Sequence, residues 1–132
     1  MRIASIFDKG KPVLSFEIFP PKHGGDLGNI YETLGCLKGL NPDFISVTFG
    51  AGGGSDGVST CDIAHIIKQD FGITPLVHLT CQGSSKTEIS KTLSRLREHE
   101  LTNILALRGD INPNCSIRGD FAYASELISF IK

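Results

Sequence analysis

The chain has 132 residues, 40% of them apolar, with thirteen Lys and Arg against fourteen Asp and Glu, for a formal charge of -1. That length fits one domain or a piece of a larger one. The balanced charge argues against a nucleic-acid backbone binder, which needs a basic field, and no apolar run approaches the roughly 18 residues of a membrane-spanning helix.

The opening segment, MRIASIFD, reaches an acidic residue too early for a secretory signal. Residues 13–19, VLSFEIF, read as a strand stopped by Pro20-Pro21. Leu27, Ile30, Tyr31, Leu34 and Leu37 then recur at helical spacing. A second strand, FISVT at 44–48, runs into a loop at 50–57 that holds five glycines. Ser59 with Asp62 three residues on is a capping-box signal for a second helix, whose apolar face includes Ile63, Ile66 and Ile67. PLVHLT at 75–80 reads as a third strand. Ser85 and Glu88 repeat the capping signal before the stripe Ile89, Leu93 and Leu96. NILAL at 103–107 is a fourth strand, ending in Arg108-Gly109-Asp110. A loop rich in Asn, Pro and Gly leads to a last helix from about Phe121, with Leu127 and Ile128 on its apolar side.

The order is βαβαβαβα, a cadence that implies a parallel α/β sheet with right-handed crossovers. An open doubly wound sheet and a barrel share it. The strand interiors choose between them. Ser15 and Glu17 share one face, as do Ser46 and Thr48, and His78 and Thr80. A sheet covered on both sides should be nearly all apolar within its strands. Polar residues gathered on one face toward the strand ends instead suit a barrel interior that opens into a site. A closed TIM (β/α)8 barrel needs eight units and about 250 residues. The four units here make a half-barrel of parallel strands, or an isolated sheet, with bare edges on its first and fourth strands.

Cys36, Cys61, Cys81 and Cys115 include no close pair that would suggest a zinc knuckle or a redox dithiol. They read as reduced thiols of a cytoplasmic protein, with Cys81 a small buried hydrophobe. His23, His65 and His99 lack metal-ligand spacing with carboxylates and read as surface groups, so no metal site is expected.

Ligands bind outside the carboxyl ends of parallel strands. Glu17, Thr48, His78 with Thr80, and Arg108 with Asp110 should converge there. Glu17 lies between Phe16 and Ile18 and before Phe19. An apolar setting would favour its protonated form, which a general acid needs. A structural ion pair to Lys22 or Arg108 is the plainer alternative. Gly109 would let a flat ligand approach the backbone. Asp110 could accept hydrogen bonds from a heterocycle or simply cap the loop, and Arg108 could neutralise an anion or pair with Glu17. His78 could be a ligand contact or a satisfied core group. The stretch GAGGGS fails the dinucleotide spacing, because Ser55 stands where its third glycine belongs. Arg118-Gly119-Asp120 carries no weight as a cell-adhesion tripeptide.

LSFEIFPPK (14–22), FISVTFGAGG (44–53), PLVHLTC (75–81), NILALRGD (103–110) and YASEL (123–127) together resemble the methylenetetrahydrofolate reductase family. The resemblance covers nearly the whole chain, and FEIFPPK with ALRGD is its most specific part. It implies an eight-stranded barrel carrying FAD, of which residues 1–132 would be the N-terminal half. The implied activity is reduction of 5,10-methylenetetrahydrofolate to 5-methyltetrahydrofolate by NAD(P)H in a ping-pong hydride transfer. The same resemblance makes Glu17 the general acid of ring opening and places Asp110 near flavin and pterin. Thr48, Phe49, Ala51, His78, Arg108, Gly109 and Ala124 match cofactor-contacting positions, with Tyr123 their neighbour. Glu17, Thr48 and Asp110 would also meet the folate. A homo-oligomer is implied for the full-length form, with no nucleic-acid or membrane partner.

Phe49 departs from the tyrosine usual in the family. Gly52-Gly53-Gly54 carries an apparently extra glycine, and Asp56-Gly57-Val58 replaces a charged stretch with arginine. The family's second half supplies further FAD and folate contacts, so this chain alone is expected neither to hold FAD tightly nor to turn over. Two rival readings are a non-catalytic interaction module that associates through its sheet edges, and another pterin-acting barrel enzyme.

Overall fold

The computed structural model describes residues 1–8, 10–21, 27–49, 59–110 and 119–132. A short helix, α1 (Ala4–Phe7), comes first and was not expected from the sequence. Then follow β1 (Ser15–Ile18), α2 (Leu27–Lys38), β2 (Phe44–Val47), α3 (Thr60–Gln69), β3 (Thr74–Thr80), α4 (Lys86–Glu98), β4 (Ile104–Leu107) and α5 (Ala124–Ile131). The four strands form one parallel sheet in the order β1-β2-β3-β4.

Two serines set where the middle helices begin. Ser59 Oγ accepts the Asp62 N–H at 3.2 Å while the Asp62 carboxylate takes the Ser59 N–H at 3.0 Å. Ser85 and Glu88 repeat this at the head of α4, at 3.2 and 2.7 Å. Each box satisfies N–H groups that a helix start leaves without partners. The last helix begins three residues later than Phe121, because Glu126 takes the N–H groups of Ala122 and Tyr123 at 2.6 and 3.1 Å and holds that turn outside the helix.

Strand alternation splits the sheet into two unlike faces. Ile45, Val47 and Val77 point toward the long helices and pack with Ile30 and Leu34 of α2, Ile63, Ala64 and Ile67 of α3, and Leu96 of α4. Phe16, Ile18 and Ile104 join them. Leu79 and Ala106 continue the layer against Ile89 of α4, Leu127 of α5 and Phe121 in the turn before α5. All four long helices therefore cover one face. A side chain buried as fully as Ile45 or Leu34 contributes about 1.5–3 kcal/mol, so this layer dominates the fold's stability.

Sequential strand order with helices on one side is the arrangement of an arc of a barrel; a doubly wound sheet reverses its order and carries helices on both faces. The fold is thus an α/β fold with a four-stranded parallel sheet, consistent with a partial TIM barrel. On the other face, α1 covers only the N-terminal end, where Ile3 and Ile6 pack with Phe44, Val13 and Leu76. The Asn103 amide fixes this floor: its Oδ1 accepts the Ile3 N–H at 3.0 Å and its Nδ2 donates to the Met1 carbonyl at 3.0 Å. Among the described residues no helix is long and apolar enough to cross a membrane.

Candidate functional site

Above that floor, the helix-free face carries Glu17 on β1, Ser46 on β2, and His78 and Thr80 on β3. The predicted clustering of polar residues on one face is what the structure has. Register explains it: Glu17 pairs with Ser46, and Ser46 with Leu76, so Glu17, Ser46 and Leu76 form one row across the sheet. His78 stands two residues beyond Leu76 on the same face.

Glu17 and His78 come together, with Oε2 3.5 Å from Nε2. Ser46 Oγ lies 3.5 Å from the same Oε2 and 3.4 Å from the Phe16 carbonyl oxygen. Ser46 and His78 are both buried, at 6% and 8% exposure. The apolar setting expected for Glu17 is not found: its side chain is 48% exposed and its neighbours are a serine and a histidine. Phe16 and Ile18, adjacent in sequence, point to the opposite, helix-covered face. Among the described residues the basic side chain that meets Glu17 is His78 rather than Arg108; Lys22 lies outside them.

Thr48 extends the β1–β2 ladder, its N–H donating to the Ile18 carbonyl at 3.0 Å. Its own carbonyl accepts the Thr60 hydroxyl at 3.0 Å, which ties the strand end to the head of α3. Phe49 is half-buried against the cluster of Leu79, Cys81, Phe121 and Leu127. Ala51 and the glycine loop at 50–57 lie outside the described residues, as do 111–118.

The fourth strand end is built around one carbonyl. The Arg108 oxygen accepts N–H groups from Cys81 at 3.3 Å and Gln82 at 2.7 Å. Arg108 and Asp110 are exposed, and the Arg108 Nε–H reaches the Gly109 carbonyl at 3.4 Å. Gly109 has φ +85°, and a Cβ there would sit 3.1 Å from the Thr80 Cβ. The glycine is thus required by the chain's own packing and backbone, a reason the sequence did not disclose. Cys81 is fully buried, and burial pushes its thiol up from the ordinary range. Its Sγ lies 3.8 Å from the carbonyl oxygens of Arg108 and of Tyr123, so it links the β4 end to the turn that precedes Ala124.

Sequence reasoning put Ser46 on the right face but did not assign it to the site. The usable signal was the parallel register that sets it beside Glu17. His65 and His99 are corrected: they are partly buried, with ring centroids 4.3 Å apart between α3 and α4. They are 34 positions apart in sequence, so no local spacing flagged them. Cys36, Cys61 and Cys81 are not paired with one another; Cys115 lies outside the described residues. A cleft of about 130 Å³ beside Gly72, Thr74 and Asn103 opens at the opposite end of the strands and shares no residue with this cluster.

A sequence model of the methylenetetrahydrofolate reductase family matches residues 2–132. The chain is 38% identical over 128 residues to methylenetetrahydrofolate reductase 1 of Schizosaccharomyces pombe, covering 94% of this chain and 21% of that protein. It is 32% identical over 135 residues to methylenetetrahydrofolate reductase (NADH) 1 of Arabidopsis thaliana, covering 99% of this chain and 23% of the relative. It is 37% identical over 120 residues to the 5,10-methylenetetrahydrofolate reductase of Buchnera aphidicola subsp. Baizongia pistaciae, covering 90% and 40%. The chain therefore spans between about a fifth and two-fifths of the length of these curated relatives.

Proposed function

The chain belongs to the methylenetetrahydrofolate reductase family, and from that premise we propose that residues 1–132 form the first half of a (β/α)8 barrel domain. In its completed form that domain reduces 5,10-methylenetetrahydrofolate to 5-methyltetrahydrofolate with NAD(P)H. The single observation that carries this reading is the Glu17 carboxylate on the helix-free face, beside two buried polar residues, in a chain matched to the family along its length.

Glu17 protonates the ring nitrogen that leaves when the five-membered ring opens, which turns the bridging carbon into an iminium cation. Its half-exposed position suits proton exchange with solvent before substrate arrives. Asp110, exposed at the β4 end, supplies negative charge to steady that cation. Thr48 and Asp110 also hold the folate.

Support for FAD comes from the donor set. Above α1, the face opposite the long helices is uncovered among the described residues and offers room for a flat ring. His78 and Thr48 offer polar contacts and Arg108 an exposed cation for a diphosphate, with Gly109 next to it in the chain. Phe49, Ala51, Asp110 and Ala124 complete the holding residues. When bound, FAD would supply the hydride-carrying chemistry between the nicotinamide donor and the folate carbon. The full-length protein acts in the cytoplasm as a homo-oligomer, and the isolated half is inactive.

The test is Glu17→Gln in the completed flavoenzyme. Methylenetetrahydrofolate reduction should fall by about 10²–10⁴-fold, the range for loss of a general acid, while reduction of the flavin by NAD(P)H persists. Equal loss in both half-reactions would defeat the assignment.

A further inference from the structure

Glu17 has three rotatable side-chain bonds, and 48% of its side chain is exposed. Left alone, such a carboxyl samples many orientations in water. Proton delivery needs one of its oxygens aimed at the leaving nitrogen within hydrogen-bond reach. The structure supplies two neighbours that narrow the choice, and both fall on the same oxygen. The Ser46 hydroxyl and His78 Nε2 each lie 3.5 Å from Oε2. Both neighbours are buried and sit on the inner strands β2 and β3, which have sheet partners on either side. Two buried groups on neighbouring strands thus face the half-exposed carboxyl.

We propose that Ser46 and His78 are positioning residues that engage Glu17 Oε2 and leave Oε1 as the oxygen that carries the delivered proton. The proposal rests on the reading of Glu17 as the general acid. Donation from Nε2 requires that a neutral His78 ring keep its proton on that nitrogen. With Oε2 turned toward the Ser46 hydroxyl and His78 Nε2, the acidic proton belongs on Oε1. In the step, the Oε1–H bond breaks and an N–H bond forms on the leaving nitrogen. That nitrogen keeps the electron pair of the broken C–N bond, and Glu17 is left as a carboxylate to be reprotonated from water at its exposed side.

The first arm of the test uses the ¹⁵N-labelled chain without cofactor. The His78 Nε2–H proton should be directly visible by NMR at neutral pH, and Glu17→Ala should speed its exchange with water at least tenfold. The second arm uses the completed flavoenzyme and measures its two half-reactions separately. Ser46→Ala should slow the folate half-reaction at least tenfold and change flavin reduction by NAD(P)H less than twofold, with Ser46→Thr restoring part of the loss. His78→Gln, which keeps a donor at the Nε2 position, should recover at least tenfold of the folate rate that His78→Leu loses. An unchanged folate rate in Ser46→Ala overturns the proposal, as does equal slowing of both half-reactions. An unchanged folate rate in Glu17→Gln would instead overturn the functional reading itself.

Discussion

A Cβ added to Gly119 would lie 2.6 Å from both the backbone nitrogen and the backbone oxygen of Ser84. The two loops are in direct contact there, and the neighbouring bonds show why. The Asp120 N–H donates to the Ser84 carbonyl at 2.9 Å, and the Asp120 carboxylate accepts the Lys86 N–H at 2.8 Å. Gly119→Ala must force backbone from backbone, for which no rotamer change gives relief. The expected cost is about 3 kcal/mol, the upper part of the overpacking range. Thermal unfolding should show a melting temperature lower by about 10 °C.

Gly109→Ala should be milder. Its obstacles are a left-handed backbone at φ +85° and the Thr80 side chain 3.1 Å away. The conformational penalty is about 1–2 kcal/mol. Urea unfolding should therefore place Gly109→Ala between wild type and Gly119→Ala. The reverse order would mean that the β4 end rearranges at little cost.

Acid should weaken the helix starts. Hydrogen bonds from the Ser85 N–H and hydroxyl hold the Glu88 carboxyl below its ordinary range, and those from the Ala122 and Tyr123 N–H groups do the same for Glu126. For Asp62, burial pushes upward, but the Ser59 bonds and the Arg95 cation outweigh it and the carboxyl is held down. Carboxyls lowered in the folded state stabilise it above their unfolded values of about 4, and that contribution is lost as pH falls through the lowered folded values. Stability from urea titrations should be flat from pH 7 to 5 and drop below about pH 4. Ser59→Ala and Ser85→Ala should each cost about 1 kcal/mol at pH 7. Ser85→Ala should also show a shallower acid decline, because the hydroxyl that lowers Glu88 is gone.

The 132-residue chain, mixed with excess FAD, should emerge colourless from gel filtration. With Glu17 half exposed and β1 and β4 lacking outer sheet partners among the described residues, the face opposite the long helices offers a ligand one wall only. A yellow peak with absorbance near 450 nm at the chain's own elution volume would refute this expectation.

The parts of the fold that were legible in sequence were those decided locally. Ser59 with Asp62 and Ser85 with Glu88 announce helix starts because the capping bonds join residues three apart. The polar alternation of Glu17, Ser46, His78 and Thr80 announces a face because strand geometry has period two. Glu17's surroundings were misread for the same geometric reason: its sequence neighbours occupy the other side of the sheet. The α1 helix has no side-chain cap and only four residues, so Ile3 and Ile6 gave no pattern to read. The purpose of Gly109 depends on Thr80, 29 positions away in sequence, and the His65–His99 contact depends on how two helices dock. Contacts of that kind belong to tertiary packing and leave no local trace.

The Asn103 amide that grips Met1 and Ile3 joins parts of the chain 100 or more positions apart. A nascent polypeptide emerging in order makes its first helix early but cannot latch it until the root of β4 has left the ribosome. Until then Phe44 and Leu76 depend on unsecured contacts with Ile3 and Ile6 for shelter. Chains stalled before residue 103 has emerged should therefore leave the first segment open to protease, and emergence of that residue should protect it.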